Sequence, residues 1–441
     1  MVSGFYLLVC LLLLSGILDS FVPNGTVNKI IAGGSILLYW LYTYVGVKVI
    51  LGWRTRRKEI LITVGSVFLI LIAAEFAIRI FHPAGALQEF AMWYSPPYHH
   101  VNPPSKEMYH GFDTAVGSPI LVRTNEDGFR TAYSRQQFLE YGTRIVMLGD
   151  SFIFGVNVRQ EIALPQVAES LLRARSGQRD LAVLNAGGVS WSPFLEKLLF
   201  DDVLKAYRPT HLLLFLDTTD IGDDYEYATI VQQNAGALRF PRAGYSVILD
   251  NGPNLSDHSA LLQRLHWPLA VIKSLTVHPF AMARSDRNPL SIPDVHIDGQ
   301  IENNRFFIYR YPLEKTIPYF ERTFDNITSI AKGAASIGAN FVLVVVPRYH
   351  HWNPLESPRN WEGPGLLHFY SGDEPFQYEY FRFFEMKRDQ VDFHILNLLP
   401  AFQASEEFPL VFENDPHWNE SGHRLAANAV VDFLIEVGLV K

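Results

Sequence analysis

The sequence has almost no cysteine and no excess of positive charge, and each shortage excludes a class of protein. Its only cysteine in 441 residues is Cys10, which excludes a disulfide framework and a cysteine-rich metal site. Lysine and arginine number 37 against 45 aspartates and glutamates, giving a formal net charge of −8. Because no basic surplus exists to neutralise phosphates, we do not expect a nucleic-acid partner.

The signature motifs of nucleotide and zinc chemistry are also missing. The chain has no G-x-x-x-x-G-K phosphate loop, no H-E-x-x-H zinc motif and no dinucleotide fingerprint. We therefore expect no cofactor and no catalytic metal. An acidic cluster from Asp217 to Asp224 could bind a cation, but solvated loop carboxylates are the commoner case.

Apolar residues, in contrast, are abundant and concentrate near the N-terminus. Hydrophobic residues make up 48% of the chain, and the mean hydropathy is +0.07. Three apolar runs, at about residues 5–21, 30–53 and 60–81, approach or exceed the roughly 20 residues that cross a bilayer core. We predict about three transmembrane helices within residues 1–82. The first run could instead be a cleaved signal peptide.

A basic loop sets the predicted orientation of these helices. Residues 54–58, between the second and third runs, read Arg-Thr-Arg-Arg-Lys and carry nearly all the positive charge of the region. Because such loops stay in the cytoplasm, the third helix should lead outward. The chain after about residue 82 is then expected on the extracytoplasmic side, periplasmic or extracellular.

After a predicted connecting segment at residues 83–140, apolar strands alternate with amphipathic helices. Continuous apolar runs, typical of strands buried on both faces, lie at residues 145–148, 181–184, 211–216, 340–346 and 393–398. Helical patterns lie at residues 163–175, 312–337 and 421–437, the last with Ser421 as its predicted N-cap. The alternation predicts an α/β domain at residues 141–441, with a parallel sheet covered by helices and an insertion at about residues 223–310.

Two segments carry candidate catalytic residues at the same edge of this sheet. Ser151 follows the first strand, and Asp415 and His417 lie between the last strand and the last helix. Ligands bind such sheets at the carboxyl ends of the strands. A histidine can take the proton of a serine, and a carboxylate can orient that histidine. As an alternative, Asp150 and Ser151 could simply cap a helix.

Taken together, these segments resemble the SGNH (GDSL) hydrolase superfamily. The Gly-Asp-Ser that ends at Ser151 matches its first block, and the Asn-Ala-Gly-Gly that ends at Gly188 matches its second. The Asp-x-His that ends at His417 resembles the last block of membrane-linked members, which include relatives of the alginate acetyltransferase proteins. The resemblance covers roughly residues 120–441. It implies the SGNH fold, a flavodoxin-like three-layer sandwich with a parallel sheet.

The resemblance also implies a role for each matched residue. Ser151 would be the nucleophile, His417 the general base and Asp415 its orienting carboxylate. The oxyanion hole would take one backbone N–H from Ser151 and another from Gly187 or Gly188.

The third block departs from the family pattern. Its usual asparagine, an oxyanion donor, is replaced by Thr219. A threonine hydroxyl can donate one hydrogen bond, with shorter reach, and losing an oxyanion donor costs roughly 100- to 1000-fold in rate. The site is then slow, tuned for transfer or repurposed, unless Thr219 substitutes.

Four further residues are candidate substrate contacts: Asp150, Asp220, His350 and Trp418. For His350, a packed or solvated loop is the alternative. The sequence predicts an esterase or O-acyltransferase acting on acyl esters, such as O-acetyl groups of a cell-envelope glycan or exopolysaccharide, with an acyl-exporting membrane protein as a candidate partner. The alternative is a catalytically weak or inactive module that binds a glycan or a partner membrane protein.

Overall fold

A computed structural model of the chain describes residues 88–89, 92–95, 99–113, 118–233, 290–360, 362 and 375–440, with six isolated helical positions between 62 and 72. The predicted transmembrane runs lie outside the described residues, apart from those six positions. Within the described part of the chain, no helix combines the length and the apolarity that a membrane crossing requires.

Contacts divide the chain into two units, Met1–Glu89 with Asn251–Asp286, and Phe90–Asp250 with Arg287–Lys441. The described elements belong to the second unit, apart from the strand Gln88–Glu89 and the isolated helical positions.

The strands are β1 Gln88–Glu89, β2 Trp93–Ser95, β3 His99–Val101, β4 Glu107–Asp113, β5 Ser118–Arg123, β6 Thr143–Gly149, β7 Leu181–Gly187, β8 His211–Leu216, β9 Ser291–Ile297, β10 Gln300–Asn304, β11 Asn340–Val345, β12 His394–Asn397, β13 Val411–Phe412 and β14 Asp415–Trp418. The α-helices are α1 Arg135–Leu139, α2 Ser151–Phe154, α3 Leu164–Ser176, α4 Pro193–Asp202, α5 Asp220–Gln233, α6 Leu313–Ser336, α7 Glu379–Lys387, α8 Leu399–Gln403 and α9 Glu420–Glu436.

The central sheet is parallel and has the order β7-β6-β8-β11-β12. Counted along the chain this is 2-1-3-4-5, the order of flavodoxin-like doubly wound sheets. Every residue of β7 and β8 is buried, because these continuous apolar runs are covered on both faces. The prediction of a parallel sheet flanked by helices is confirmed.

The helices form a layer on each face because the strand order reverses at β7. Crossovers between parallel strands are right-handed, so α3, which leads from β6 to β7, and α4, which leads back to β8, lie on opposite faces. The packing agrees: α3 contacts α9, whereas α4 and α5 contact α6. The reversal creates a crevice at the carboxyl ends of β6 and β8, where such sheets bind ligands.

Two predicted boundaries differ from the structure. Helix α9 begins at Glu420 and is capped by Asn419, whose side chain accepts the N–H of Gly422 at 3.1 Å. The prediction of Ser421 as N-cap is therefore wrong, because the helix starts before it.

The predicted insertion at residues 223–310 also contains regular elements. Helix α5 runs through its start as far as Gln233, and β9 pairs with β10 as an antiparallel hairpin near its end. Residues 234–289 lie outside the described part of the chain.

The predicted connecting segment is built of short elements rather than an extended linker. Strands β2 and β3 pair antiparallel, as do β4 and β5, and α1 follows them. The segment enters β6 at the amino end of that strand, but its Asn102 side chain donates to the carbonyl of Gly187, so part of it reaches the edge of the sheet at which Ser151 lies.

Candidate active site

The structure brings Ser151, His417 and Asp415 into one hydrogen-bonded chain, although Ser151 and His417 are 266 positions apart. His417 Nε2 lies 2.8 Å from Ser151 Oγ, and His417 Nδ1 lies 2.5 Å from Asp415 Oδ1. The Asp415 carboxylate also accepts the backbone N–H of His417 at 3.0 Å. A hydroxyl, an imidazole and a carboxylate in this order are the arrangement that activates a serine.

The position of Ser151 follows from the close contact of α2 with the sheet. Glycine is required where the elements touch: a Cβ on Gly149 would lie 2.7 Å from Ile153 Cγ1, and one on Gly187 would lie 2.1 Å from the backbone N of Phe154. Glycine at these two strand ends therefore lets α2 pack directly on β7 and present Ser151 at the crevice.

Buried Arg130 fixes the other end of α2. Its guanidinium donates to the carbonyl oxygens of Phe154, Gly155 and Val158 at 2.8, 2.6 and 2.7 Å. Positive charge at a helix C-terminus also complements the helix dipole. The role of Arg130 in supporting α2 has no signal in the sequence, because it depends on tertiary contacts with the carbonyls of residues 154, 155 and 158.

The charge on Asp415 governs the ionisation of His417. Burial on its own would lower the pKa of the imidazole, but the Asp415 carboxylate outweighs burial and raises it above its usual value of 6.5. The carboxylate thus makes His417 a stronger base than a free imidazole, which suits it to accept the serine proton.

Of the predicted oxyanion donors, only the Ser151 N–H has no acceptor among the residues that the structure describes. It is the first N–H of α2 and has no intrahelical acceptor. The Gly187 N–H donates to Asn185 Oδ1, and the Gly188 N–H donates to the carbonyl of Gly149, both at 3.0 Å. Turn and strand hydrogen bonds therefore engage the N–H groups of both glycines, and their role in an oxyanion hole stays a prediction.

The hydroxyl of Thr219, the fourth predicted oxyanion donor, is also engaged within the protein. It is buried and donates to Asp217 Oδ2 at 2.5 Å. Because the Thr219 hydroxyl donates its only hydrogen to the Asp217 carboxylate, that hydrogen is not available to an oxyanion in this arrangement.

Three of the predicted substrate contacts are buried in the protein. His350 Nε2 lies 2.9 Å from the hydroxyl of Tyr309, and the Trp418 ring packs against Phe152 with their centroids 4.8 Å apart. The carboxylate of Asp220 accepts the backbone N–H of Asp217 at 2.8 Å. Contacts within the protein therefore hold these side chains, and their contact with substrate stays a prediction.

Asp150, the fourth predicted contact, lies directly beside the nucleophile. Its Oδ1 accepts the N–H of Phe152 at 2.9 Å, as a helix N-cap does, and its Oδ2 lies 3.2 Å from Ser151 Oγ. Asp150 therefore caps α2 and also contacts the serine hydroxyl.

The acidic cluster predicted near the third block surrounds an arginine that the sequence did not single out. Carboxylate oxygens of Asp150, Asp217 and Asp220 lie within 4.8 Å of one another. Arg348 donates to both oxygens of Asp217 at 2.9 and 2.8 Å and to Glu362 at 2.6 Å. The guanidinium thus supplies the positive charge that a bound cation would otherwise supply.

Arg348 also links this cluster to the nucleophile. Its guanidinium carbon lies 5.5 Å from the ring centroid of Phe152, the residue after the serine. Although burial acts to raise the pKa of Asp217, the neighbouring Arg348 holds it below its usual range. The one available sequence signal was an arginine just past the end of an apolar strand, at the active edge.

The segment that precedes β6 in the chain covers the loop after β7. Asn102 Nδ2 donates to the carbonyl of Gly187 at 3.0 Å, and His100 Nε2 lies 2.7 Å from the carbonyl of Val189. His110 carries a pKa lowered to about 4, chiefly by burial and then by Arg130 and His417. The His110 side chain is therefore neutral at pH 7.

Comparison with known proteins gives distant likenesses only. No protein-family model matches the sequence, and no curated protein matches it. A solved structure assigned to the lipolytic G-D-S-L family, from Desulfitobacterium hafniense DCB-2, is 12% identical, with 66% of this chain and 99% of that chain covered and a TM-score of 0.32. The psychrotrophic esterase EstA from Pseudoalteromonas sp. is 14% identical, with 66% and 97% covered and a TM-score of 0.31.

A third solved structure is a catalytic mutant of an acetylxylan esterase from Geobacillus stearothermophilus. It is 11% identical, with 68% of this chain and 95% of that chain covered and a TM-score of 0.33. Likenesses at these values transfer no activity, substrate or residue role to this chain. The function proposed below therefore rests on the chain's own geometry.

Proposed function

We propose that this chain is an SGNH-type serine esterase or O-acyltransferase that acts on acyl esters. The observation that carries the proposal is the continuous hydrogen-bonded chain from Ser151 Oγ through His417 to Asp415, with links of 2.8 and 2.5 Å. It joins three side chains whose order has one well-understood chemical use, the activation of a hydroxyl nucleophile.

The reaction follows from this geometry. Ser151 Oγ attacks the acyl carbonyl carbon and its proton passes to His417 Nε2, while the carbonyl π electrons move to oxygen. The Ser151 N–H stabilises that oxyanion. When the tetrahedral intermediate collapses, the bond to the alcohol breaks and the alcohol takes the proton from His417. Water or a sugar hydroxyl then attacks the acyl-serine by the same steps in reverse.

For the substrate we propose O-acetyl groups of a cell-envelope glycan or exopolysaccharide. The support is topological: three apolar runs precede the domain, and the basic residues 54–58 orient it away from the cytoplasm. An extracytoplasmic site tethered to a membrane meets such glycans. An acyl-exporting membrane protein would supply the donor if the reaction is transfer.

The proposed topology has a direct test. In a chain whose Cys10 is replaced by serine, a cysteine at the exposed position Glu406 gives one reactive thiol on the catalytic domain. We expect a membrane-impermeant maleimide to label it in intact cells or spheroplasts. Labelling only after permeabilisation would place the domain in the cytoplasm and overturn this part of the proposal.

Ester turnover tests the chemistry. The detergent-purified full chain should release acetate from an aryl acetate faster than the acids from butyryl and octanoyl esters. Ser151→Ala should lower the rate at least about 1000-fold, whereas the exposed Ser170→Ala should leave it unchanged.

Acetyl groups found by mass spectrometry on an added oligosaccharide would establish transfer. Equal rates for Ser151→Ala and the unchanged chain would contradict the proposal.

One observation favours a second candidate, a catalytically weak or inactive module that binds a glycan or a partner membrane protein. Gly187, Gly188 and Thr219 use their predicted oxyanion donors in internal hydrogen bonds. This candidate predicts glycan binding by the intact chain with no ester turnover, and binding that survives Ser151→Ala.

A further inference from the structure

The hydroxyl of Ser151 has two close partners but one hydrogen. His417 Nε2 lies 2.8 Å from Ser151 Oγ, and Asp150 Oδ2 lies 3.2 Å from it on another side. A hydroxyl donates one hydrogen bond and accepts others. Both contacts can be hydrogen bonds at the same time only if one of the two partners brings a proton of its own.

The hydrogen bond between His417 and Asp415 decides whether His417 or Asp150 carries the additional proton in the reactive state. His417 Nδ1 faces Asp415 at 2.5 Å, so the neutral ring carries its proton there and leaves Nε2 as an acceptor. The serine must then donate to Nε2 if His417 is to act as base. The remaining contact, to Asp150, requires the proton on Asp150.

We propose that Asp150 is a further catalytic residue: in the active state its Oδ2 carries a proton and donates it to Ser151 Oγ, which directs the serine's own hydrogen to His417. This inference rests on the proposed esterase or transferase chemistry. The carboxyl also keeps its capping role, because Oδ1 accepts the N–H of Phe152 at 2.9 Å. The proton therefore belongs on Oδ2.

The surroundings of Asp150 favour the protonated form. The carboxyl is 4% exposed. Burial, followed by the neighbouring Asp217, raises its pKa to about 7. Charged and titratable groups face it from every element packed around it: Asp217, Asp220, Glu196, Tyr380, Arg348 and His417. The hydrogen bond from the Phe152 N–H, followed by Arg348 and His417, acts in the opposite direction and keeps the pKa from rising further.

Asp150 and His417 then share one proton in two arrangements. With the proton on Asp150, His417 is neutral and takes the serine hydrogen. With the proton on His417, an ionised Asp150 takes the serine hydrogen and the hydroxyl is idle. Loss of the shared proton leaves the hydroxyl donating to the Asp150 carboxylate, since charge-assisted hydrogen bonds are the stronger ones. The reactivity of Ser151 should therefore decline as pH rises through about 7.

The substitution Asp150→Asn tests this directly. Its amide oxygen can still accept the Phe152 N–H, its Nδ2 can donate to Ser151 Oγ, and it cannot ionise. The measurement is the rate at which a fluorophosphonate probe labels the detergent-solubilised full chain, from pH 5 to pH 9.5. The probe reports serine reactivity without requiring knowledge of the natural ester.

We expect the unchanged chain to lose reactivity above pH 7, by about tenfold per pH unit, and Asp150→Asn to keep a plateau there. At pH 9 roughly 1% of a group with a pKa of 7 stays protonated, so Asp150→Asn should label tens of times faster than the unchanged chain. Asp150→Ser, which can cap α2 and has no carboxyl group to ionise, should also show no decline above pH 7.

The outcomes separate the inference from the proposed function. If Asp150→Asn declines above pH 7 as the unchanged chain does, Asp150 is only a helix cap and the inference is overturned. If the unchanged, folded chain is not labelled at any pH, the proposed function fails and this inference fails with it.

Discussion

At the scale of single residues, catalysis depends on which nitrogen of His417 carries a proton. Asp415 accepts both the ring Nδ1–H and the backbone N–H of His417, so one carboxylate fixes the tautomer and the position of the ring. The same carboxylate keeps the pKa of His417 above 6.5 against the effect of burial. Ser151 reactivity should therefore be lost as pH falls through that raised pKa, because the protonated imidazole cannot act as base.

Asp415→Asn should remove both effects. An amide can donate to Nδ1 and so stabilise the wrong tautomer, and we expect the rate of acylation to fall about 1000- to 10,000-fold. The rate of fluorophosphonate labelling measures this. The midpoint of thermal unfolding should stay close to that of the unchanged chain, because the Asp415 side chain is 19% exposed and partly hydrated. Labelling within tenfold of the unchanged rate would contradict the role given to Asp415.

At the scale of elements, close contacts at its C-terminal half hold helix α2, and with it Ser151, in place. Gly187 lets this half of the helix, at Ile153 and Phe154, approach β7, and Arg130 binds the carbonyls at the C-terminal end. A helix of four residues is too short to be stable alone. Its position, and so that of Ser151, therefore depends on these tertiary contacts.

Gly187→Ala should displace α2. The added Cβ would lie 2.1 Å from the backbone N of Phe154, which cannot move without its helix. We expect lower kcat in ester hydrolysis and a loss of stability of about 1–3 kcal/mol. Gly142→Ala is the matched control, since its Cβ would meet only the end of the Asp180 side chain. Equal kcat for Gly187→Ala and Gly142→Ala would show that α2 is not held in this way.

At the scale of the whole molecule, several buried carboxyl groups lie behind the site. Glu196 is fully buried, and neither of its carboxyl oxygens has a hydrogen-bond partner among the described residues. Burial, then Asp150 and Asp224, raises its pKa well above 4.5. A carboxyl whose pKa is raised by folding favours the folded state at low pH, where it is protonated, and this contribution is lost as pH rises through the folded pKa.

Glu196→Gln should therefore make the fold less sensitive to high pH. We expect the free energy of unfolding of the unchanged chain, measured with urea in detergent, to fall as pH rises above the ordinary glutamate pKa of 4.5. Glu196→Gln should be more stable than the unchanged chain at pH 9 by roughly 1–3 kcal/mol, and the difference should vanish as pH falls to 4.5 and below. The exposed Glu406→Gln serves as control. A parallel pH dependence for all three would contradict this account of Glu196.

Sequence patterns predict the architecture well because it depends on local periodicity. Continuous apolar runs mark the buried strands, and β8 begins and ends at the predicted residues 211 and 216. The convergence of Ser151 and His417 was also predictable, since the segments after parallel strands meet at one edge of the sheet. Neither prediction requires knowing a side-chain partner.

The hydrogen-bond partners inside the site could not be predicted in this way. Arg348 and Asp217 are 131 positions apart, and their pairing depends on how two loops pack. The same holds for the Thr219 hydroxyl, which is directed to Asp217 rather than into the crevice. Motif spacing gives the residue types at an edge, but only the packed loops determine which donors stay available.

The most direct test of the central claim is labelling of the solubilised full chain with a fluorophosphonate probe at pH 7. The account predicts one labelled residue, Ser151 by peptide mass spectrometry. It also predicts loss of labelling in Ser151→Ala and His417→Ala, and unchanged labelling in the exposed variants Ser170→Ala and His296→Ala. A folded chain that is not labelled, or labelling that persists in His417→Ala, would contradict an activated Ser151–His417–Asp415 site.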